Sequence, residues 1–428
     1  MNAKSAVMPE QSRRVRVTFV VYDWPDNVCG PATWVQRLLP ALQAYGIESS
    51  CLALCWEAPG PLVRELQKLG IPVRHTLCRE STEKRILWVL QQVQELRPDV
   101  FVPNLVVPAL YAARWTRQSG VPTVGVLHSD DRFYSGVQDV FCCGRDVDAL
   151  TTVVSVSKEL HQQTLRRKLR NTESAWIPYG VSVPPLLPRD SDCFRIGYVG
   201  RLSEEQKRIS DVVRALCLCV RQVSGTKAEI FGDGPDRGRV EQILAAEGAA
   251  LPITLVGRVE PSRIQQHLQQ MDALLLLSDF EGLPIALLEA MACGVVPVVS
   301  AMKSGIPELV RDRETGWIVG DRTQSVVEAI RILRDNTELR SRLSMQARDF
   351  VAQNFSQQAS VEAWGKLLLR LAKSSRPVPL KIPRELQLPP VHPALAAEDP
   401  RAVQVPLRTV ILSALRRTVK RLRPKTLN

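Results

Sequence analysis

The chain is expected to fold as α/β, in two open parallel sheets, each covered by helices on both faces. Three observations carry that expectation. At 428 residues the sequence is too long for one ordinary domain. Short apolar runs alternate with segments of helical periodicity along most of its length. The alternation stops at a proline-rich polar stretch, residues 184–192, and then starts again. The expected domains are residues 1–183 and 193–355, with everything from 376 onward forming a tail.

Each element follows from its run of residues. Residues 14–22 read as the first strand, and 32–45 repeat apolar positions at helical spacing. Residues 47–54 are the next strand, and 67–73, with Gly70 and Pro72, make a helix-to-strand turn. Helix 86–96 leads into strand 100–103, and helix 108–119 into strand 123–127. Strand 151–156 follows, and residues 177–181 end this half. After the linker come strand 195–199, helix 210–223, strand 228–231, helix 236–247 and strand 253–256. Helix 260–270 and the apolar run 273–277 complete the series. Such apolar runs are what strands buried on both faces of a parallel sheet look like.

Composition narrows the class. A hydrophobic share of 45% is that of a globular chain with real cores. The ten cysteines are scattered, and Cys51, Cys193 and Cys293 lie in apolar patterns, as buried thiols of a reducing compartment do. Cys142-Cys143 and Cys217/Cys219 lack metal-finger spacing. Residues 1–12 are polar and lack a signal-peptide core, and no run approaches a bilayer-spanning length. The expected location is cytoplasmic.

The net charge of +12 is uneven: from Arg376 to the end, eleven Lys or Arg stand against three Asp or Glu. Residues 376–400 are rich in proline and poor in periodicity, which reads as a flexible spacer. Then Leu407, Val410, Ile411, Ala414, Leu415, Thr418, Val419 and Leu422 recur at helical spacing. Arg408, Arg416, Arg417, Lys420, Arg421 and Arg423 occupy much of the other face. A basic amphipathic helix over 401–425 suits an anionic membrane surface, which would make the protein peripheral on the inner face of the membrane. Docking on the protein itself or on a partner is the alternative. No aromatic residues interleave with the charge, so nucleic acid is not an expected partner.

The most informative stretch is Asp279-Phe280-Glu281-Gly282-Leu283-Pro284-Ile285-Ala286-Leu287-Leu288-Glu289-Ala290-Met291-Ala292-Cys293-Gly294. Pro284 suits the first turn of a helix and Gly294 its C-terminal end. Glu281 then lies in the loop before the helix, and Glu289 in its second turn. The N–H groups of Gly282 and Leu283 would meet a ligand at the strand ends, where a helix N-terminus favours phosphate.

This block resembles the Glu-x7-Glu signature of retaining glycosyltransferases with the GT-B fold, family four of that classification. Its continuation, Val295-Val296-Pro297-Val298-Val299-Ser300 and Ser304-Gly305-Ile306-Pro307-Glu308-Leu309-Val310, resembles the family too. So does Gly200-Arg201-Leu202 with Lys207 six residues after Arg201. The resemblance covers residues 14–372 and is most specific from Gly197 to Gly320. It implies two Rossmann-like domains facing a cleft, with helix 356–372, containing Trp364, crossing back onto the first domain. It also implies metal-independent transfer, with retention, from a nucleotide-diphosphate sugar to a glycan or lipid-linked acceptor, with no cofactor beyond the donor itself.

Residue roles follow from the same resemblance. Arg201 and Lys207 are implied to hold the donor diphosphate, because breaking a sugar–phosphate bond leaves negative charge that two fixed cations stabilise. Family members usually carry Lys-Gly where this chain has Lys207-Arg208. Glu289 is implied on the ribose, since a carboxylate accepts from both hydroxyls of a vicinal diol. Glu281 is implied at the donor sugar's hydroxyls, near the anomeric carbon. Gly257, Arg258 and Val259 match the strand end that meets the nucleobase, and Gly232-Asp233-Gly234-Pro235 a structural turn.

In the first domain Gly30 stands where a glycine-rich loop approaches the phosphates, although Cys29-Gly30-Pro31 replaces the usual paired glycines. His128 matches the family's active-site histidine at a strand's carboxyl end. The catalytic candidates are therefore Glu281, His128, Arg201 and Lys207. The donor-binding candidates are Gly30, Arg201, Lys207, Gly257, Arg258, Val259, Glu281, Gly282, Leu283 and Glu289, with no metal ligand among them. Asp130 and Asp131 are candidates for acceptor hydroxyls, and Glu308 reads as a cap or structural partner. The pairs Asp146/Asp148 and Asp190/Asp192 lie away from a cleft edge and read as incidental. A GT-B epimerase or phosphorylase, and a non-catalytic sugar-nucleotide-binding relative, remain open. No Gly-x-Gly-x-x-Gly follows the first strand, which argues against a dehydrogenase.

Overall fold

The computed structural model describes residues 14–24, 29–189, 193–302, 305–399 and 401. The first sheet holds β1 (Val15–Asp23), β2 (Ile47–Cys55), β3 (Val73–Leu77), β4 (Val100–Asn104), β5 (Thr123–Leu127), β6 (Thr152–Ser155) and β7 (Glu173–Trp176). The second holds β8 (Phe194–Val199), β9 (Thr226–Phe231), β10 (Ile253–Gly257), β11 (Ala273–Leu276), β12 (Val296–Ser300) and β13 (Trp317–Val319). Their orders are β3-β2-β1-β4-β5-β6-β7 and β10-β9-β8-β11-β12-β13, with every pairing parallel. Central strands such as β4, β5 and β12 are buried throughout, whereas edge strands β3 and β10 keep exposed positions.

In both sheets the strand order reverses beside the strand that starts the domain, between β1 and β4 and between β8 and β11. Crevices open at such switch points, at the strands' carboxyl ends. Three of the expected site segments begin there: helix Gly30–Ala41 after β1, the Gly200 loop after β8, and helix Ile285–Ala292 after β11.

One apolar cluster runs from β1 and helix Gly30–Ala41 into helix Ile285–Ala292 and helix Gln357–Ser374. That last helix lies on the first domain, with Trp364 against Trp34 at 5.2 Å between ring centres. The chain passes between the domains beside Val181, whose N–H bonds Phe355 O at 2.9 Å and whose carbonyl accepts from Gln357 N at 3.0 Å. The helix expected over 236–247 is α-helical only over Arg237–Ile243 and continues as a π turn, Leu244–Gly248.

The expected spacer is corrected by the structure, because residues 376–399 form a strap packed along the first domain. Arg376 N and Val378 N donate to Gly120 O at 3.0 Å and Ser119 O at 2.9 Å. Gln94 and Arg114 donate to the carbonyls of Leu380 and Gln387, both at 2.9 Å. Leu380 and Leu395 are buried in the first domain's core, each stabilising by about 1.5–3 kcal/mol. Asp399 is fully buried and accepts from Thr82 Oγ1 at 2.8 Å. The prolines exclude an α-helix and leave only the 3-10 turn Pro393–Leu395; backbone and side chains of the first domain satisfy the rest of the strap's backbone, so periodicity never signals the packing. Residues 402–428, with nearly all of the expected basic helix and its membrane contact, lie outside the described residues.

Candidate active site

After β11 the chain turns through Ser278 and Glu281 before helix Ile285–Ala292, with Pro284 as the residue preceding the helix. Glu281 is only 4% exposed. Its Oε1 accepts from Ser278 Oγ at 2.7 Å and from Lys207 Nζ at 2.6 Å. Lys207 ends a short helix, Glu204–Lys207, strapped to the same loop by Asp279 N to Gln206 O at 3.0 Å and Gln206 Nε2 to Phe280 O at 3.1 Å. Arg208 takes left-handed backbone angles, φ 52° and ψ 46°, and turns outward to Asp211 at 3.0 Å. A left-handed position is what glycine fills without strain, which accounts for the Lys-Gly of the resembled motif. Lys207, rather than Arg208, is the cation paired with Glu281, while Arg208 comes within 3.9 Å of Asp279 on the same loop.

Arg201 follows β8 in the crevice and is exposed, and among the described residues it forms no ion pair. Burial pushes the Cys29 thiol up, and the Ala32 N–H and then the charge of Arg201 oppose that shift. Gly232, at φ 135°, packs so closely beneath this loop that a Cβ would lie 1.8 Å from Gly200 O. Gly232 N in turn donates to Gly257 O at 2.8 Å. Arg258 and Val259 follow, both half-buried, with Val259 against the apolar cluster shared by the two domains.

The first domain meets this loop directly. A Cβ on Gly282 would lie 2.0 Å from His128 O, and one on Gly30 would lie 3.6 Å from Ile285 Cδ1. Gly282 and Leu283 are both buried. Helices Gly30–Ala41 and Ile285–Ala292 therefore bring their N-terminal ends together, and farther along Arg37 pairs with Glu289. Each N-terminus carries a partial positive charge of about +0.5, which favours an anion between them, although in the first helix Pro31 has no N–H and Thr33 N bonds Cys29 O at 3.0 Å. The pair Arg37–Glu289 borders a cavity of about 300 Å³ lined also by Gln36, Ser182, Gln265 and Gln357. Glu308 reaches the other way and caps helix Lys158–Arg166, accepting from Glu159 N at 2.9 Å.

His128 lies under the cleft wall, 6% exposed, ringed by Trp34, Tyr134 and Tyr179. Both ring nitrogens are engaged: Nε2 with Asn104 Oδ1 at 2.6 Å, and Nδ1 with the Tyr179 hydroxyl. Read as Nε2–H donating to Asn104, the ring is neutral and accepts from Tyr179. Burial pushes its pKa down to about 3. The unfolded chain, with an ordinary histidine near 6.5, therefore binds the extra proton between those values, and stability falls as pH drops through that window. Well below pH 6.5 the expected loss is about 1.4 kcal/mol per pH unit. The measurement is the melting temperature from pH 7 to 4: His128→Gln should flatten its slope, and an unchanged slope would remove His128 from the acid response.

Other candidates have structural partners. Asp131 caps helix Arg132–Phe141 through Tyr134 N at 3.2 Å, and Asp130 accepts from Gln163 at 3.1 Å. Asp148 is buried against Arg145 at 2.5 Å and Arg114 at 3.8 Å, while Asp190 and Asp192 lie outside the described residues. Sequence reading missed Arg37, Asn104, Tyr179 and Ser278. Asn104 is the hardest to foresee: it is buried, and its φ of 56° marks a turn that only the folded sheet end requires. Tyr179 sits in the run 177–181 already singled out, and Ser278 falls in the one-residue gap between the apolar run 273–277 and the stretch that starts at Asp279.

Residues 187–350 match the family model described as Glycosyl transferases group 1. Among curated proteins, N-acetyl-alpha-D-glucosaminyl L-malate synthase of Bacillus anthracis is 33% identical over 160 residues, 37% of this chain and 41% of that protein. The amylovoran biosynthesis glycosyltransferase AmsK of Erwinia amylovora is 32% identical over 187 residues, 42% and 45% of the two chains. The chain thus spans less than half the length of these relatives. Among solved structures, Anabaena Alr3699/HepE in complex with UDP and glucose superposes with a TM-score of 0.65 at 17% identity, covering 83% of this chain and all of that one. The pneumococcal O-GlcNAc transferase GtfA, in complex with UDP and GlcNAc, does so with a TM-score of 0.68 at 11% identity, over 84% and 99%. The chain has the GT-B fold of two Rossmann-like domains, and residues 187–350 are similar to the family described as glycosyl transferases group 1.

Proposed function

We propose that the protein is a retaining glycosyltransferase that moves a sugar from a nucleotide-diphosphate sugar to a glycan or lipid-linked acceptor without a metal. The observation that carries the reading is the meeting of two helix N-termini, at Gly30 and Ile285, with Lys207 paired to the Glu281 loop beside the second and Arg201 following β8. Four positive features at one crevice suit the diphosphate leaving group, whose charge grows as the glycosidic bond breaks.

In this reading Arg201 and Lys207 hold the departing diphosphate, and Gly30, Gly282 and Leu283 line its backbone cradle. Glu281, fixed by Lys207 and Ser278, takes the donor sugar's hydroxyls. Glu289 takes the ribose, and Gly257, Arg258 and Val259 meet the nucleobase. His128 acts as a neutral group, lining the sugar site with its carbonyl while Asn104 and Tyr179 hold its ring. The acceptor attacks from the face the diphosphate leaves, and a diphosphate oxygen helps to take its proton. Contact between the domains excludes water. Relatives named for polysaccharide and lipopolysaccharide synthesis, and neighbours solved with UDP, support the donor and acceptor classes. Among the described residues no helix is long and apolar enough to cross a membrane. A cytoplasmic enzyme, held at a membrane through 401–425, is the arrangement we propose.

The test is thermal stabilisation by a panel of nucleotide-sugars, with Arg201→Ala and Glu289→Ala for comparison. Stabilisation by one donor, lost in both variants, followed by transfer with retained anomeric configuration, is the expected result. Stabilisation without transfer to any acceptor would favour a non-catalytic relative, and interconversion of the donor itself an epimerase.

A further inference from the structure

We propose that Arg37 is a positioning residue of the donor site, holding Glu289 from across the cleft so that ribose recognition is complete only with the domains together. The proposal rests on the reading of Glu289 as the ribose carboxylate.

Arg37 and Glu289 are 252 residues apart and belong to different domains, yet Arg37 Nη2 donates to Glu289 Oε1. The register of the two helices explains how. Gly30 faces Ile285 at the first residue of each helix, and Arg37, two turns farther on, reaches Glu289 in the second turn of its partner. The same contact that aligns the N-termini therefore delivers the guanidinium. The side chains are 26% and 15% exposed, so the pair is screened less than one on an open surface.

The pairing also leaves the carboxylate able to do a second task. The guanidinium engages Oε1, and among the described residues Oε2 carries no hydrogen bond. A carboxylate has about four lone-pair sites, so one donor from Arg37 leaves enough for two vicinal hydroxyls. Fixing one oxygen sets the carboxylate's rotamer, which preorganises it for a diol. The adjoining cavity of about 300 Å³, lined by Leu69 and Cys293 as well as by polar side chains, makes the pair reachable by a ligand. Truncating Arg37 should then weaken binding of anything with a ribose diol and leave the diphosphate contacts alone.

The experiment uses the full chain and calorimetric titration. The probes are whichever of UDP, GDP and ADP binds best, its 2′,3′-dideoxy analogue, and inorganic pyrophosphate. Arg37→Ala should bind the ribonucleotide about tenfold more weakly, with the dideoxy analogue and pyrophosphate unchanged. Arg37→Lys, which keeps the charge, serves if the alanine variant does not fold, and should lose less. Equal weakening of the ribo and dideoxy nucleotides, no change, or tighter binding would each overturn the proposal. Glu289→Gln separates the two readings: if it does not discriminate ribo from dideoxy, the ribose assignment itself fails. If it discriminates and Arg37→Ala does not, only the role of Arg37 falls.

Discussion

Lys207→Met should reduce transfer by about 10²–10³-fold, the scale on which removal of one charge-stabilising group acts at a reacting centre. It should also destabilise the fold. Glu281 is 5% exposed at its side chain and Lys207 16%, so the substitution takes the paired cation away from a carboxylate in a nearly dry site. Breaking such a pair from one side costs about 3–5 kcal/mol, and the surviving bond from Ser278 puts the expectation at the lower end. Lys207→Met combined with Glu281→Gln removes that carboxylate's charge, so most of the lost stability should return while activity stays low. Melting temperature and kcat, measured on the same preparations, separate the two effects. A double variant that regained activity would contradict the assignment of Lys207 to the reaction, and a single variant of native stability would contradict the burial argument.

The second large effect is expected from one methyl group. Gly282→Ala places a Cβ 2.0 Å from His128 O and 2.9 Å from Ser129 Cα, both backbone atoms that do not swing aside. Retreat is blocked too, because a Cβ on Gly305 behind it would lie 2.0 Å from Gly282 O, so the loop is already pressed from that side. The domains must therefore stand apart. The two domains share one apolar cluster, so parting them should lower the melting temperature as well, while kcat/KM falls by about a hundredfold through lost alignment. Small-angle scattering should show a more open particle in the variant. Full activity in Gly282→Ala would mean that catalysis does not need this contact.

Much of the architecture was legible because parallel strands buried on both faces read as apolar runs, and the helices between them keep their period. The edges were harder. β3 and β7 are short, partly exposed edge strands such as Glu173–Trp176, whose composition does not distinguish them from loop. The strap was misread for a different reason: its leucines pack from an extended backbone with no period to detect. For the site, residues carried by local patterns, such as Glu281 beside its helix, could be found from spacing. Arg37 could not, because nothing in its helix indicates a partner 252 residues away. His128 was placed at the right strand end, but its burial among three aromatic rings, and so its low pKa, arises from residues scattered between Trp34 and Tyr179.

The two crossings beside Val181 have a topological consequence. Val181 and Ser356 form a parallel bridge, and Ser182 Oγ donates to Gln357 at 2.7 Å, so the chain departs and returns through the same doorway. Residues 183–355 are thus an insert whose ends adjoin, while helix Gln357–Ser374 and the strap close the first domain on itself. Such an insert is a cassette: it can swing only about the line through its doorway, and it can be lifted out or exchanged without cutting the host elsewhere.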